Sequence, residues 1–244
     1  MDSKIICKFV REQTKVENIT GGTGGDRFAI TDLLCYSEES EDKLLAVCRQ
    51  IGEIIMEATI TRYSAQEYFE GETTAEFRSE YRDGEIIPMT GGTFNHNRIA
   101  LNLASALKYG LKGQPYEASM SDLRLSIPAK NIYTYPDVMV VPSPPVYAEG
   151  RRDTITNPQI IVEVLSRSTG NYDRGEKFDS YRTVNSFREY ILIDQYKHYV
   201  EQFTKTEDDK WLLSVHKGDE TILSLNSVEF QISLGDIYEN VEFE

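Results

Sequence analysis

Two short apolar runs in the middle of the chain each carry one carboxylate. The first is YPDVMVV, with Asp137, and the second is IIVEVL, with Glu163. A buried strand of Ile and Val rarely holds a charged group unless that charge is paired or binds a metal. A lysine, Lys177, follows in the stretch NYDRGEKFDSY. Two carboxylates and an ammonium are the groups that metal-assisted cleavage of a phosphodiester needs. Neighbouring strands lie about 5 Å apart, so carboxylates on adjacent strands can share one cation. A hard ion such as Mg²⁺, or Mn²⁺ in its place, takes oxygen ligands and keeps several waters. Asp137, Glu163 and the carbonyl of Val164 are the expected metal ligands, an incomplete shell with room for water and a phosphate oxygen. Lys177 is the expected catalytic cation, orienting the attacking water or stabilising the transition state. A blander reading stands beside this one, in which Asp173, Glu176 and Lys177 are local ion pairs on a helix face.

Positioning these groups requires a sheet and at least one helix. The run Val138–Val141 reads as a buried strand ended by Pro142-Ser-Pro-Pro145. Ile160–Leu165 reads as a second one. A helix is predicted over about 172–184, with Phe178 and Tyr181 on one face, then a strand over Tyr190–Ile193 ending at Asp194. Strand, helix and strand in so short a span form a βαβ unit, so those two strands should run parallel.

Upstream, Ser64-Ala-Gln-Glu67 is a capping box, and a short helix should follow from Ala65 to about Glu70. Asp83-Gly84 predicts a tight hairpin turn. Glu80 and Glu85 flank that turn. Either is a solvated hairpin charge or leans into the metal site, and Glu85 joins the candidate catalytic residues on that basis. The strongest helix covers 93–112, capped by Thr93 or Asn95, with Ile99, Leu103, Leu107 and Leu111 on one face. His96 projects near that face at the helix start, either as a structural residue or lining the cleft. Leu123, Leu125 and Ile127 alternate with polar neighbours, the pattern of a half-exposed strand. Arg151 and Arg152 sit in the loop over 146–158, as phosphate contacts or as solvated charges. Residues 196–244 show short alternating segments, an antiparallel addition at the sheet edge.

Composition bounds the rest. The chain has 244 residues and a formal net charge of −14, which works against phosphate binding. The acidity is concentrated in the flanks, and residues 124–188 hold nine basic against seven acidic side chains. Three cysteines, Cys7, Cys35 and Cys48, lack the C-x-x-C spacing of a zinc site and suit a reducing cytoplasm. Neither a secretory signal nor a membrane span is expected. GGTGG near the N-terminus lacks the ending of a phosphate loop and reads as a linker. An amphipathic helix is predicted over 41–58. Residues 1–57 read as an N-terminal extension and 58–244 as the main domain.

Taken in order, the segments YSAQEYF, EYRDGEI, FNHNRIALNL, YPDVMVV, IIVEVLSRST and YDRGEKFDSYRTVNSFREYILID make the chain resemble a known family. It resembles the Uma-type restriction endonucleases, a branch of the PD-(D/E)xK nuclease superfamily, over about residues 60–235. The resemblance implies an α/β fold, a restriction-endonuclease-like mixed sheet flanked by helices, with antiparallel C-terminal strands at its edge. It implies a metal-dependent endonuclease acting on DNA, with Asp137 and Glu163 as the motif's two acids. The motif's lysine would stand at position 165, where this chain has Leu165. By resemblance its role moves to Lys177 on the following helix, and Glu80 or Glu85 takes the part of the superfamily's early acid. Cleavage of both strands would suggest a two-fold homodimer. The alternative is a catalytically inactive module on the same fold that binds nucleic acid or a protein partner.

Overall fold

Ser64 starts the first helix by hydrogen bonding in both directions. Its hydroxyl accepts from the Glu67 N–H at 3.2 Å, and its own N–H donates to the Glu67 carboxylate at 2.7 Å. This pair satisfies donors that a helix start otherwise leaves orphaned. The helix, α1 (Ala65–Glu72), runs two residues beyond its expected end. The computed structural model describes residues 62–89, 91–167 and 169–243. The helix expected over 41–58, the glycine stretch, the three cysteines and the 1–57 extension lie outside the described residues.

The strands β1 (Ser79–Arg82) and β2 (Glu85–Pro88) form the expected antiparallel hairpin. Asp83 and Gly84 have φ of 45° and 98°, the positive values that a tight hairpin turn of this kind demands. Next comes α2 (Phe94–Gly110), capped by the Thr93 hydroxyl, which accepts the His96 N–H at 3.1 Å. Ile99, Leu103 and Leu107 recur at helical spacing and are buried.

Five strands follow α2 before β8: β3 (Tyr116–Met120), β4 (Arg124–Ile127), β5 (Ile132–Thr134), β6 (Val138–Pro142) and β7 (Thr154–Ile155). Then β8 (Ile160–Leu165) leads into a continuous helical stretch, α3, made of Gly170–Tyr172, a π turn at Asp173–Lys177 and Phe178–Tyr181. After it come β9 (Glu189–Asp194), β10 (Tyr199–Lys205), β11 (Trp211–Lys217), β12 (Ile222–Leu225), β13 (Phe230–Ser233) and α4 (Leu234–Ile237).

The main sheet has the order β11-β10-β9-β8-β6-β3. It is mixed: β8 and β9 run parallel, as the βαβ reading requires, and its other pairs are antiparallel. The C-terminal strands β10 and β11 extend its edge, whereas β12 and β13, expected there too, pair with each other in a separate two-stranded sheet. A second sheet, β2-β1-β5-β4-β7, goes beyond the single sheet expected from sequence.

The main sheet is apolar on both faces. Val138, Val140, Val162, Val164, Ile191 and Ile193 pack with Ile99, Leu103 and Leu107 of α2. Their alternate neighbours Met139, Val141, Ile161, Leu165, Tyr190 and Leu192 pack with Leu125, Ile127 and Ile155 of the second sheet and with Phe178 and Tyr181 of α3. Strands covered on both sides read as continuous apolar runs, which is why these were visible in the sequence. Each fully buried Val, Leu or Ile contributes about 1.5–3 kcal/mol, so this double core fixes where Asp137 and Glu163 stand. In contrast to its expected half exposure, β4 is buried on both faces. Leu125 and Ile127 join the core, while the Arg124 guanidinium is covered by Glu72 and Tyr135.

Candidate active site

Asp137 immediately precedes β6, one step beyond the Val138–Val162 pair. The antiparallel register therefore sets it opposite Glu163 on β8. Glu163 shares its strand face with Ile161 and Leu165, towards α3. The Asp137 Oδ2 atom accepts the Val164 N–H at 2.7 Å and lies 3.2 Å from His96 Nε2. Glu163 Oε1 accepts from the Tyr181 hydroxyl at 2.7 Å and from Lys177 Nζ at 2.9 Å. Lys177 also lies 3.5 Å from Asp173 Oδ1. Each facing carboxylate thus engages one oxygen. Neither Asp137 Oδ1 nor Glu163 Oε2 takes any of these contacts. The two side chains are 20% and 5% exposed, so the cluster opens to solvent on the Asp137 side.

The α3 π turn brings the amine to this place. Asp173 and Lys177 are buried, while Arg174, Gly175 and Glu176 between them are exposed. Such wide turns within α-helices occur often at functional sites. Residue spacing alone predicts an unbroken helix here, with Asp173 in a local ion pair on its face. A signal was present: Asp173, Lys177 and Tyr181 recur every fourth residue, which aligns two charges with the apolar stripe.

The charges are unequal. Burial raises the Glu163 carboxyl, and the charges of Asp137 and Asp173 add to it against the pull of Lys177, so its pKa is pushed up to about 8. Burial opposes the charge on Lys177, but Glu163, Glu80, Asp173 and Asp137 together raise its pKa, so it stays an ammonium. Burial and the neighbouring Glu163 lift the Tyr181 phenol far above its ordinary value, which keeps it a donor. Burial also works against charge on His96, yet its contact with Asp137 raises its pKa overall.

The two hairpin acids separate clearly. Arg82 pairs with Glu85 and Glu80 with Ile87, so both acids lie on one face of the hairpin. Glu85 stands exposed beside the turn and makes none of the contacts of the Asp137–Glu163–Lys177 cluster. Glu80, two residues further from the turn, is buried and bonded to Thr134 and Arg82. Despite burial, Lys177, Thr134 and Arg82 hold its carboxyl below the usual range. Val164 contributes its N–H to Asp137. Leu165 lies in the core, and the amine near Glu163 comes from α3. Arg151 is tied to Asp153 at 2.6 Å and lies over the Phe69 ring, which leaves little of it for phosphate. Arg167, just past β8, has no acidic partner among the described residues, and its guanidinium lies over Tyr196 beyond the end of β9. Sequence reasoning passed over this pair. A surface cavity lined by Gln114, Tyr116, Asn226 and Glu229 contains none of the site residues.

The donor chemistry suits a hard divalent cation: two facing carboxylates, each with a spare oxygen, and surplus negative charge around a single lysine. Among the described residues no three His, Cys, Asp or Glu side chains are spaced to hold a metal ion. An ion here would draw on the two acids and complete its shell from backbone and solvent, as Mg²⁺ commonly does. Among the described residues no helix is long and apolar enough to cross a membrane.

Comparison with known proteins gives a consistent result. The family described as "Uma2: Putative restriction endonuclease" matches residues 65–235. "Uncharacterized protein sll1609" of Synechocystis sp. is 41% identical over 162 residues, covering 66% of this chain and 92% of that protein. "Uncharacterized protein slr1290" of the same organism is 33% identical over 188 residues, covering 76% of this chain and 96% of that one. Among solved structures, a "putative nuclease belonging to DUF820" from Anabaena variabilis superposes with a TM-score of 0.55 at 19% identity, over 67% of this chain and 91% of that chain. At that identity the likeness speaks for the fold.

Proposed function

The chain belongs to the Uma2 family, and from that premise we propose that it is a metal-dependent endonuclease that hydrolyses phosphodiester bonds of DNA. Asp137 and Glu163 hold a divalent cation, Mg²⁺ or Mn²⁺, and Lys177 stabilises the transition state. One observation carries this reading: the two acids face each other across β6 and β8, each with one oxygen unengaged, and Lys177 lies 2.9 Å from Glu163.

A bound cation supplies Lewis-acid neutralisation of charge on the phosphate. The residues of the chain do the rest. Tyr181 and Lys177 both engage Glu163 Oε1, fixing the carboxylate and leaving Oε2 for a ligand. The Val164 N–H does the same for Asp137 through Oδ2. An ammonium has three donors; one is directed at Glu163 at 2.9 Å, while Asp173 lies 3.5 Å away as an ion-pair partner. The ammonium thereby keeps donor capacity for a phosphate oxygen on which charge develops. Glu80 acts through Lys177, adding to the field that keeps the amine charged. Arg167, set on Tyr196, is a candidate contact for a neighbouring phosphate.

The test is cleavage of supercoiled plasmid by the full chain with Mg²⁺ or Mn²⁺, with EDTA, and by the Glu163→Ala and Lys177→Met variants. Nicking that EDTA abolishes, and that each substitution lowers about a hundredfold or more, is expected. Lys177→Met should also cost about 3–5 kcal/mol of stability at neutral pH, because it leaves buried carboxylates without their cation. Equal cleavage by Glu163→Ala would point to a contaminant. No cleavage of DNA or RNA under any metal would leave a binding module on a nuclease fold.

A further inference from the structure

We infer that Gln195, Thr93 and His96 form a positioning relay that holds Asp137 ready for its cation, with His96 as the member that touches the carboxylate. The inference rests on the reading of Asp137 as a metal ligand and extends it to residues that no metal would contact.

The relay can be followed atom by atom. Gln195, buried just past β9, donates from Nε2 to the Leu165 carbonyl at 2.8 Å. Its Oε1 accepts the Thr93 hydroxyl at 2.6 Å. The same Thr93 oxygen accepts the His96 N–H at 3.1 Å as the cap of α2. The first turn of α2 is thereby tied to the end of β8, two residues past Glu163. From that turn, His96 Nε2 reaches to 3.2 Å from Asp137 Oδ2. The Val164 N–H reaches the same oxygen at 2.7 Å. Two donors on one oxygen fix the rotation of the carboxylate and leave Oδ1 for a ligand.

Two further features separate this histidine from a space-filling one. Its Nδ1 is buried and has no hydrogen-bond partner among the described residues. A polar atom left unsatisfied in the interior costs about 1–3 kcal/mol, a cost that an apolar side chain would avoid. Since Nδ1 meets no acceptor, both the neutral ring with its proton on Nε2 and the charged ring present an N–H to Asp137. Gly92 closes over the ring so tightly that a Cβ there would stand 2.8 Å from Nδ1. The packing thus holds the ring with Nε2 on the carboxylate.

Partners that orient metal ligands typically govern affinity by ten- to a hundredfold. Mn²⁺ binding to the full chain, followed by calorimetry and by electron paramagnetic resonance, tests this without reference to cleavage. Asp137→Asn and Glu163→Gln should abolish binding. His96→Ala and His96→Asn should weaken it by about ten- to a hundredfold. His96→Gln should restore it to within a few-fold, because the glutamine amide nitrogen reaches the place of Nε2 and the shorter asparagine does not. Gln195→Leu should weaken binding less, since it acts through two links. Cleavage by His96→Ala should recover at saturating Mn²⁺. If His96→Gln and His96→Asn bind Mn²⁺ equally well, the relay is overturned even where His96→Ala fails to fold. Loss of binding in Asp137→Asn and Glu163→Gln would then leave the site reading standing. Wild-type binding by those two variants overturns both.

Discussion

Glu163 and Glu189 lie on adjacent parallel strands of one sheet, and both are buried. Their surroundings differ. Glu189, at the start of β9, accepts from Gln202 Nε2 at 2.7 Å, from the Asn226 and Ser227 N–H groups at 2.9 Å each, and from the Ser227 hydroxyl at 2.5 Å. Both of its oxygens are engaged by neutral donors, and the bonds clamp the turn between β12 and β13. Glu163 takes both of its bonds on one oxygen, beside two other acids and a lysine. A buried carboxylate that is fully bonded holds the fold together. One with an idle oxygen and surplus negative charge around it is prepared for a cation.

Exchanging each acid for its amide gives the sharpest division. Glu163→Gln should lower plasmid cleavage about a hundredfold or more, with a melting temperature that holds or rises. Glu189→Gln should leave cleavage per folded molecule unchanged and cost about 2 kcal/mol in lost charge-assisted bonds, read as a drop in melting temperature of roughly 4–8 °C. Loss of cleavage in Glu189→Gln at an unchanged melting temperature would break the contrast.

Proton linkage gives the next effect. The Glu163 carboxyl moves from an ordinary 4.5 up to about 8 in the folded chain. Between those values the folded state binds the extra proton, so the stability of the metal-free chain should fall as pH rises through that window. Glu163→Gln should remove this slope. A cation must displace that proton, so Mg²⁺ affinity and cleavage should climb with pH and level off above about 8. Melting curves and cleavage rates between pH 5 and 9 measure both, and flat profiles would contradict the idle-oxygen picture.

The smallest effect separates two arginines. Arg167→Ala should weaken DNA binding and reduce its salt slope by about one, with cleavage at saturating DNA unchanged. Arg151→Ala should leave the slope as it is, because Arg151 is already paired with Asp153. Equal slopes in the two variants would remove Arg167 from the substrate contact.

Much of the frame was legible from residue order. The capping box at Ser64, the Asp-Gly turn, the Thr93 cap and the apolar runs of β6, β8 and β9 are local patterns, and each produced its element. The second sheet was not legible, since its strands are only two to four residues long and most of them pair across long stretches of chain. Glu80 and Glu85 share a hairpin face, so alternation does not separate them. The π turn of α3 leaves no periodic trace that distinguishes it from a plain helix.

The sequence by itself determined the main helices, the apolar runs of β6, β8 and β9, the family and the presence of an acid in or beside two of those runs, because periodicity, capping and turn chemistry act over a few residues. Only the tertiary structure decided which acid is saturated and which is left with a free oxygen. The donors concerned come from far along the chain: Ser227 closes on Glu189 across 38 residues, and Tyr181 and Lys177 reach Glu163 from a helix across the sheet face. Hydrogen-bond saturation in the interior depends on what folds against a group, and no local pattern carries that information.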